Sequence, residues 1–473
     1  MKGHLIFGII ISDETSTIRR NEMTSSNTLL KKIIGVKDVV VTDAEIYSDH
    51  DGVTHLTIDA RPNSWNRNKC PFCGRKKLPG YDRPSQSLRV WRGLDLGGVM
   101  VDIRSQTNRI VCPEHGVVTA DVPWAYPNSG FTKDFDMTVS WLAKYLPRST
   151  VSEYMRIDWK TVGKCISRSL HDLEPDLSRR LDGLVHIGID ETSYCKGYKY
   201  ITVIVNHDTN TVVWAADGHG KAVLSKFYGQ LTDKQKASIK VVTGDGARWI
   251  TDCVNEFTPD CVRCVDPFHV VEWAMDALDE LRSERWHKAN DKVRELSKNK
   301  PKTKGRPKSD DKAAADVKAA KAEASEIKNS RFALGKAPEN LTKNQQVKLA
   351  MIQANDRQLY RGYCLKEALR MIFKNTDADK AESELDHWLW WASHSRIPVF
   401  HDLYKKIKRH KEHILNTIKY GLSNARIEAT NNKIKLIIRK AYGFRNIQNM
   451  LDMVYLVCSN IRIPLPNRKS RNR

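Results

Sequence analysis

Three acidic side chains have the type and setting that phosphodiester chemistry requires. Asp190 closes the apolar run VHIGID, Asp245 closes IKVVTGD between two glycines, and Glu428 lies in SNARIEATNNKIKLIIRKAYG. Asp and Glu are the hard oxygen donors that Mg2+ or Mn2+ prefers. Cleavage by two such ions needs several carboxylates converging within a few ångströms, one ion activating water or a 3′-hydroxyl and the other stabilising the leaving oxygen. Taken singly, each acid also has an ordinary reading. Asp190 or Asp245 would serve in a turn, and Glu428 would be solvated.

The elements around these acids follow from apolar periodicity. VHIGID, KYITVIVN and TVVWAAD read as three strands, with HDTNT as the turn between the second and third. Asp190 and Asp245 are each expected at the carboxyl end of a strand, where active sites of open α/β sheets gather. A helix (KAVLSKFYGQL), the strand ending at Asp245, a further helix and the strand CVRCVD then lead into a helix beginning PFHVVEWAMDALDEL. The alternation predicts a mixed α/β sheet. Near 424–441 a helix would place Ile427, Ile434, Ile438 and Ala441 on one side, and Glu428, Asn431, Asn432 and Lys435 on another.

Upstream, Cys70-Pro-Phe-Cys73-Gly and Cys112-Pro-Glu-His115-Gly are matching knuckles, predicting a closed, tetrahedral structural Zn2+ site without chemistry of its own. Cys253, Cys261, Cys264 and His269 have only partial ligand spacing, and buried structural cysteines are expected there. Short strands are predicted between residues 36 and 62. Three short helices over 138–172 read as a helix-turn-helix. Asp158 would cap the third, with Lys160, Thr161, Lys164 and Arg168 facing the DNA groove.

With 473 residues, several domains are expected. Lys and Arg number 78 against 56 Asp and Glu, a net charge of +22, which points to a polyanionic partner, most simply double-stranded DNA. The early run LIFGIII is too short to span a bilayer, so no membrane role is expected. Residues 1–22 read as an over-extended start before Met23, and ten unevenly spaced cysteines suggest a reduced, cytoplasmic protein.

The chain resembles DDE-type insertion-sequence transposases of the ISL-three group. The likeness runs over about residues 60–465 and rests on CPFCG…CPEHG, VTGDGA…VDPFHVVEWAMDALDELR and SNARIEATNNKIKLIIRKAYGFRN. It implies a ribonuclease-H-like catalytic domain (181–270 and 421–465) interrupted by a helical insertion (271–420). A zinc-binding domain (36–130) and a helix-turn-helix domain (131–180) would precede it, with an uncertain N-terminus (1–35) and a basic tail (466–473).

The resemblance makes Glu428 the third metal ligand and Asp190 the first. The second is assigned to Asp245, with Asp266 as the alternative and Asp266 with His269 as an accompanying pair. Asp266-Pro267 also has the form of a helix start, and His269 would either position the scissile phosphate or satisfy a buried hydrogen bond. Within the insertion, Trp388, Trp390 and Trp391 would pack between helices, the alternative being stacking on unpaired bases. Lys304-Gly305-Arg306-Pro307 has the form of an AT-hook core, with Arg306 in a minor groove. The expected function is binding the terminal inverted repeats and metal-dependent cleavage and strand transfer, as a homodimer or larger synaptic complex associated with a bacterial nucleoid. The alternative is a sequence-specific DNA-binding regulator without catalysis.

Overall fold

The computed structural model describes residues 26–83, 87–298, 312–421 and 425–466. The expectations for residues 1–22, Arg306 and the basic end of the chain lie outside these residues. The chain divides into two compact units, residues 1–172 with 462–473, and residues 173–461.

The first unit begins with α1 (Ser26–Ile34), β1 (Val39–Ser48), β2 (Thr54–Pro62), β3 (Leu88–Arg92) and β4 (Met100–Gln106). The strands form a sheet in the order β1-β2-β4-β3, antiparallel except between β2 and β4. Alternation puts Leu56, Ile58 and Ala60 of β2 inside with Trp91, Ile103 and Trp124. A separate ribbon, β5 (Arg109–Cys112) and β6 (Gly116–Thr119), carries the second knuckle in its turn. Three helices follow: α2 (Lys133–Tyr145), α3 (Arg148–Met155) and α4 (Trp159–Leu173).

The second unit opens with β7 (His186–Cys195), β8 (Lys199–Asn206) and β9 (Thr211–Asp217), an antiparallel meander. After α5 (Lys221–Gln230) and α6 (Asp233–Ser238) come β10 (Val241–Gly244), α7 (Arg248–Phe257) and β11 (Val262–Val265). The strand order is β11-β10-β7-β8-β9, with β10 parallel to both β7 and β11. One face of the sheet, with Ile187, Ile189, Ile204 and Val242, is covered by Leu224 and Phe227 of α5 and Ile250 of α7.

The expectation that Asp190 ends its strand is corrected. Pairing with β10 is recorded through Gly188, but pairing with β8 continues to Cys195, so Asp190 lies in mid-strand where the parallel neighbour gives out.

Helices then follow without a strand among the described residues: α8 (Pro267–Lys298), α9 (Lys312–Asn329), α10 (Arg331–Gly335), α11 (Lys343–Asn355), α12 (Arg357–Ile372), α13 (Ala378–Ser393), α14 (Pro398–Arg409) and α15 (Lys411–Tyr420). They share a core containing Leu278, Leu365, Leu385, Trp388 and Phe400, which extends to Val265 of β11. Trp388 is 1% exposed and its indole N–H donates to the Leu365 carbonyl at 2.8 Å, so it packs between helices, whereas Trp390 is 59% exposed. α15 covers the β11 edge through the Thr417 hydroxyl, which donates to the Val265 carbonyl at 2.7 Å. The last two helices, α16 (Ala425–Lys440) and α17 (Ile447–Cys458), return to the sheet, where the Ala215 amide donates to Tyr455 Oη at 2.8 Å. The apolar stripe of α16 runs through Thr430, Ile434 and Ile437, with Ile438 only half-buried, a small rotation from the expected side.

Candidate metal centres and DNA-facing helix

The knuckle side chains converge. Cys73 Sγ is 3.6 Å from Cys112 Sγ, while His115 Nδ1 is 3.8 Å from Cys70 Sγ and 3.7 Å from Cys112 Sγ. All four ligand atoms lie within 4.8 Å of one another. A tetrahedron with Zn–S bonds of ~2.3 Å needs ligand separations of roughly 3.8 Å, so this donor set fits zinc. Burial opposes ionisation of Cys112, but hydrogen bonds from His115 and from the Glu114 and His115 amides outweigh it, bringing the thiol to about 6. Positive φ at Gly74 and Gly116, each just after a knuckle, supplies the turn that aims both ligand pairs inward.

The acidic centre is assembled from strand ends and one helix. The ladders pair Thr243 with Gly188 and Gly244 with Val265. The β10–β7 pairing stops two residues before Asp245 and Asp190, and the β10–β11 pairing stops one residue before Asp245 and Asp266. The Asp266 amide donating to the Gly244 carbonyl at 2.8 Å carries the second ladder on. Three aspartates therefore lie just past the stretch over which β10 pairs with its two neighbours.

Asp190 Oδ1 accepts from the Glu191 amide at 2.7 Å, and Oδ2 accepts from the Asn431 side-chain amide. Asn431 Oδ1 in turn accepts from the Thr192 hydroxyl at 2.9 Å. This fastens α16 to β7. Glu428 stands one helical turn before Asn431, about 5–6 Å away between Cβ atoms, and its side chain is exposed.

Burial raises the Asp190 carboxyl above its usual range. The Asn431 and Glu191 hydrogen bonds and the charge of His269 oppose the rise, and Asp266 adds to it. Glu191 is likewise raised by burial, countered by the Gly220 amide and reinforced by repulsion from Asp245.

Asp245 Oδ1 accepts from the Ala247 amide at 2.9 Å, and its backbone carbonyl accepts from the buried Arg263 guanidinium. Asp266 caps α8, its Oδ1 accepting from the Phe268 amide at 3.0 Å, and its Oδ2 is 3.8 Å from His269 Nε2. His269 Nδ1 meets Glu272 Oε2 at 3.0 Å. Asp266 is thus a helix cap that also neighbours Asp190.

The donor chemistry suits a divalent oxygen-loving ion, although among the described residues only the Cys/His group has three or more ligand atoms within 4.8 Å of one another. Cys253, Cys261 and Cys264 form no such group. Cys253 and Cys264 are buried instead. Neither the Asn431 amide on Asp190 nor the Thr192 hydroxyl on Asn431 is predicted from the sequence. The polar stripe on α16 carried the only signal.

On α4, the Lys160 amide donates to Asp158 Oδ1 at 2.8 Å, which caps the helix as expected. Lys160 and Lys164 are exposed and Thr161 is half-exposed. Arg168 does not join them. Its guanidinium grips the fully buried Asp136 of α2 at 2.6 and 2.8 Å, so it ties α4 to α2 instead of facing outward. The exposed stripe continues through Ser167 and His171.

Residues 187–454 match a family model described as a transposase, and residues 120–168 match the helix-turn-helix domain of transposase family ISL3. Both matches fall in one class, the transposases. The chain is 41% identical over 442 residues to the transposase for insertion sequence element IS1557 of Mycobacterium tuberculosis, covering 93% of this chain and 97% of the relative. It is 25% identical over 382 residues to the transposase for insertion sequence element IS1001 of Bordetella parapertussis, covering 80% and 85%. The chain belongs to the ISL3 family of transposases. Its helix-turn-helix marks it as a DNA-binding protein, and its membership implies the use of divalent metal. No helix among the described residues is long and apolar enough to cross a membrane.

Proposed function

We propose that this transposase binds the terminal inverted repeats of its own insertion sequence and there cuts and joins DNA strands, with Asp190, Asp245 and Glu428 holding the divalent metal. One observation carries the reading: Asp190 and Asp245 each lie two residues past the last β7–β10 pair, and Asn431 ties the helix bearing Glu428 to Asp190. A meander followed by two parallel strands, in the order β11-β10-β7-β8-β9, supports a ribonuclease-H-like core. The run α8–α15 between β11 and α16 supports a helical insertion at 271–420.

In this reading Mg2+ or Mn2+, when bound, supplies an activated water or 3′-hydroxyl and stabilises the leaving oxygen. The chain's own contribution is placement. Asn431 fixes the Asp190 carboxylate, and the Ala247 amide holds that of Asp245, two residues past the parallel ladder. Asp266 is the alternative second ligand. With Asp245 as ligand, Asp266 and His269 flank the Asp190 side. Lys160, Thr161 and Lys164 are the candidate groove contacts, and the Cys/His centre, filled by zinc, holds its subdomain in shape. Two ends must be held together for joining, so a homodimer or larger assembly at the nucleoid follows from the same reading.

The test is metal-dependent nicking and strand transfer on duplexes bearing the element's own ends. Asp190→Ala and Glu428→Ala should abolish both while gel-shift binding persists, and Asp245→Ala against Asp266→Ala identifies the second ligand. Full strand transfer by either of the first two variants would overturn the assignment. Binding with no cleavage under any metal would instead indicate a regulator without catalysis.

A further inference from the structure

Beside Asp245 stands a cation that the proposed function leaves unused. Lys406, in the last turn of α14, is half-buried, and its Nζ lies 3.8 Å from the centroid of the Trp273 ring on α8. Two nearby lysines are paired: Lys405 with Asp402 at 3.0 Å, and Lys411 with Asp386 at 2.7 Å and Glu382 at 3.0 Å. Among the described residues the Lys406 ammonium makes no ion pair or hydrogen bond, while its backbone carbonyl accepts from the His410 amide at 3.3 Å. A half-buried ammonium without a counter-charge is unfavourable. A ring face offsets only about 0.5–2 kcal/mol of that.

The perch is registered on the acidic centre itself. A Cβ built on Gly246 would stand 2.3 Å from Trp273 Cη2 and 3.5 Å from His410 Nε2, so the indole lies flush against the loop that leaves Asp245. Burial lowers the Lys406 amine below its usual value, and the Asp245 and Asp276 charges pull the other way. Lys408 and Arg409, both exposed, share the same last turn. An ammonium with no directly paired carboxylate, perched on the ring that packs against the proposed metal-binding loop, suits a phosphodiester.

We propose that Lys406, held over Trp273 beside Asp245, is a phosphate contact for the DNA strand brought to the acidic centre. The inference rests on reading that centre as the place where DNA is handled, and it adds a DNA-binding residue on the helical segment.

Two measurements on the full chain in the Asp190→Ala background, with a duplex cut from the DNA flanking the coding sequence, test it without requiring cleavage. In lysine acetylation read by mass spectrometry, Lys406 should lose most of its modification when the duplex is bound. In salt titrations, Lys406→Met should make the slope of log affinity against log salt shallower by about one, and Lys406→Arg should restore it. Unchanged acetylation of Lys406 on DNA, or a wild-type slope in Lys406→Met, overturns the proposal. If both results hold but the wild-type chain cuts no DNA under any metal, the phosphate contact stands and the catalytic reading falls. If the wild type cuts while both results fail, the reverse is true.

Discussion

At the knuckles four ligand atoms already stand within 4.8 Å of one another, whereas the carboxylates near Asp190 do not meet that spacing. The difference follows from how each set is built. The Cys/His ligands sit in two tight turns on short pieces of chain, where His115 and backbone amides already favour the Cys112 thiolate. The acids come from separate strands and a helix far along the sequence. As like charges they repel until a cation or a hydrogen-bond donor intervenes. Asn431 is such a donor for Asp190. The first centre is therefore a finished fastener, and the second is a set of parts left for ions and DNA to complete.

The widest separation between the two should appear on metal removal. Cys112→Ser, or a strong zinc chelator, should forfeit a metal contribution on the order of 10 kcal/mol and melt the knuckle region. Zinc content and thermal unfolding measure this, and Asp190→Ala should alter neither. Full zinc occupancy and an unshifted melt in Cys112→Ser would break the contrast.

A smaller effect is expected at Asn431. Its alanine variant loses two hydrogen bonds and frees α16 from β7, which costs about 1–3 kcal/mol and lowers the strand-transfer kcat about tenfold or more, with zinc unaffected. An unchanged kcat would mean that Asn431 does not position Asp190.

A third effect, on stability alone, concerns His410, near the Asp245 loop. Burial, with the nearby His413, Arg263, Arg409 and Lys406, holds its imidazole at about 4 against an ordinary 6.5. The unfolded chain thus takes up a proton first as pH falls. Stability should be full above 6.5 and decline towards 4, by at most about 1.4 kcal/mol per pH unit for one proton. Denaturant midpoints at pH 7 and 4.5 should converge in His410→Gln. An equally steep decline in that variant would assign the effect elsewhere.

Much of this was legible beforehand because it was local. The doubled C-P-x-[CH]-G spacing, the apolar strands around Asp190 and Asp245 and the Asp158 cap all declare themselves within a few residues. What escaped depends on distant partners. The outer half of β7, ETSYC, carries the polar Thr192 at its buried position, so no apolar alternation signals that pairing with β8 continues. Arg168 has the spacing of a groove contact, and only the burial of Asp136 on another helix diverts it. Trp388 and Trp390 are adjacent in type and position, yet the helical packing hides one and exposes the other. Trp273 and Lys406 lie far apart in sequence and meet only through the packing of α8 against α14.

The bare backbone at position 246 has a consequence for how this protein can be altered. Even a methyl group there would push an indole ring that is wedged between the sheet and the helical segment, so the two regions share one seam. Transplanting the helices α8–α15 into a relative, or replacing them with a shorter connection, would succeed only where the recipient keeps a glycine just past its second aspartate and a flat side chain to lie upon it.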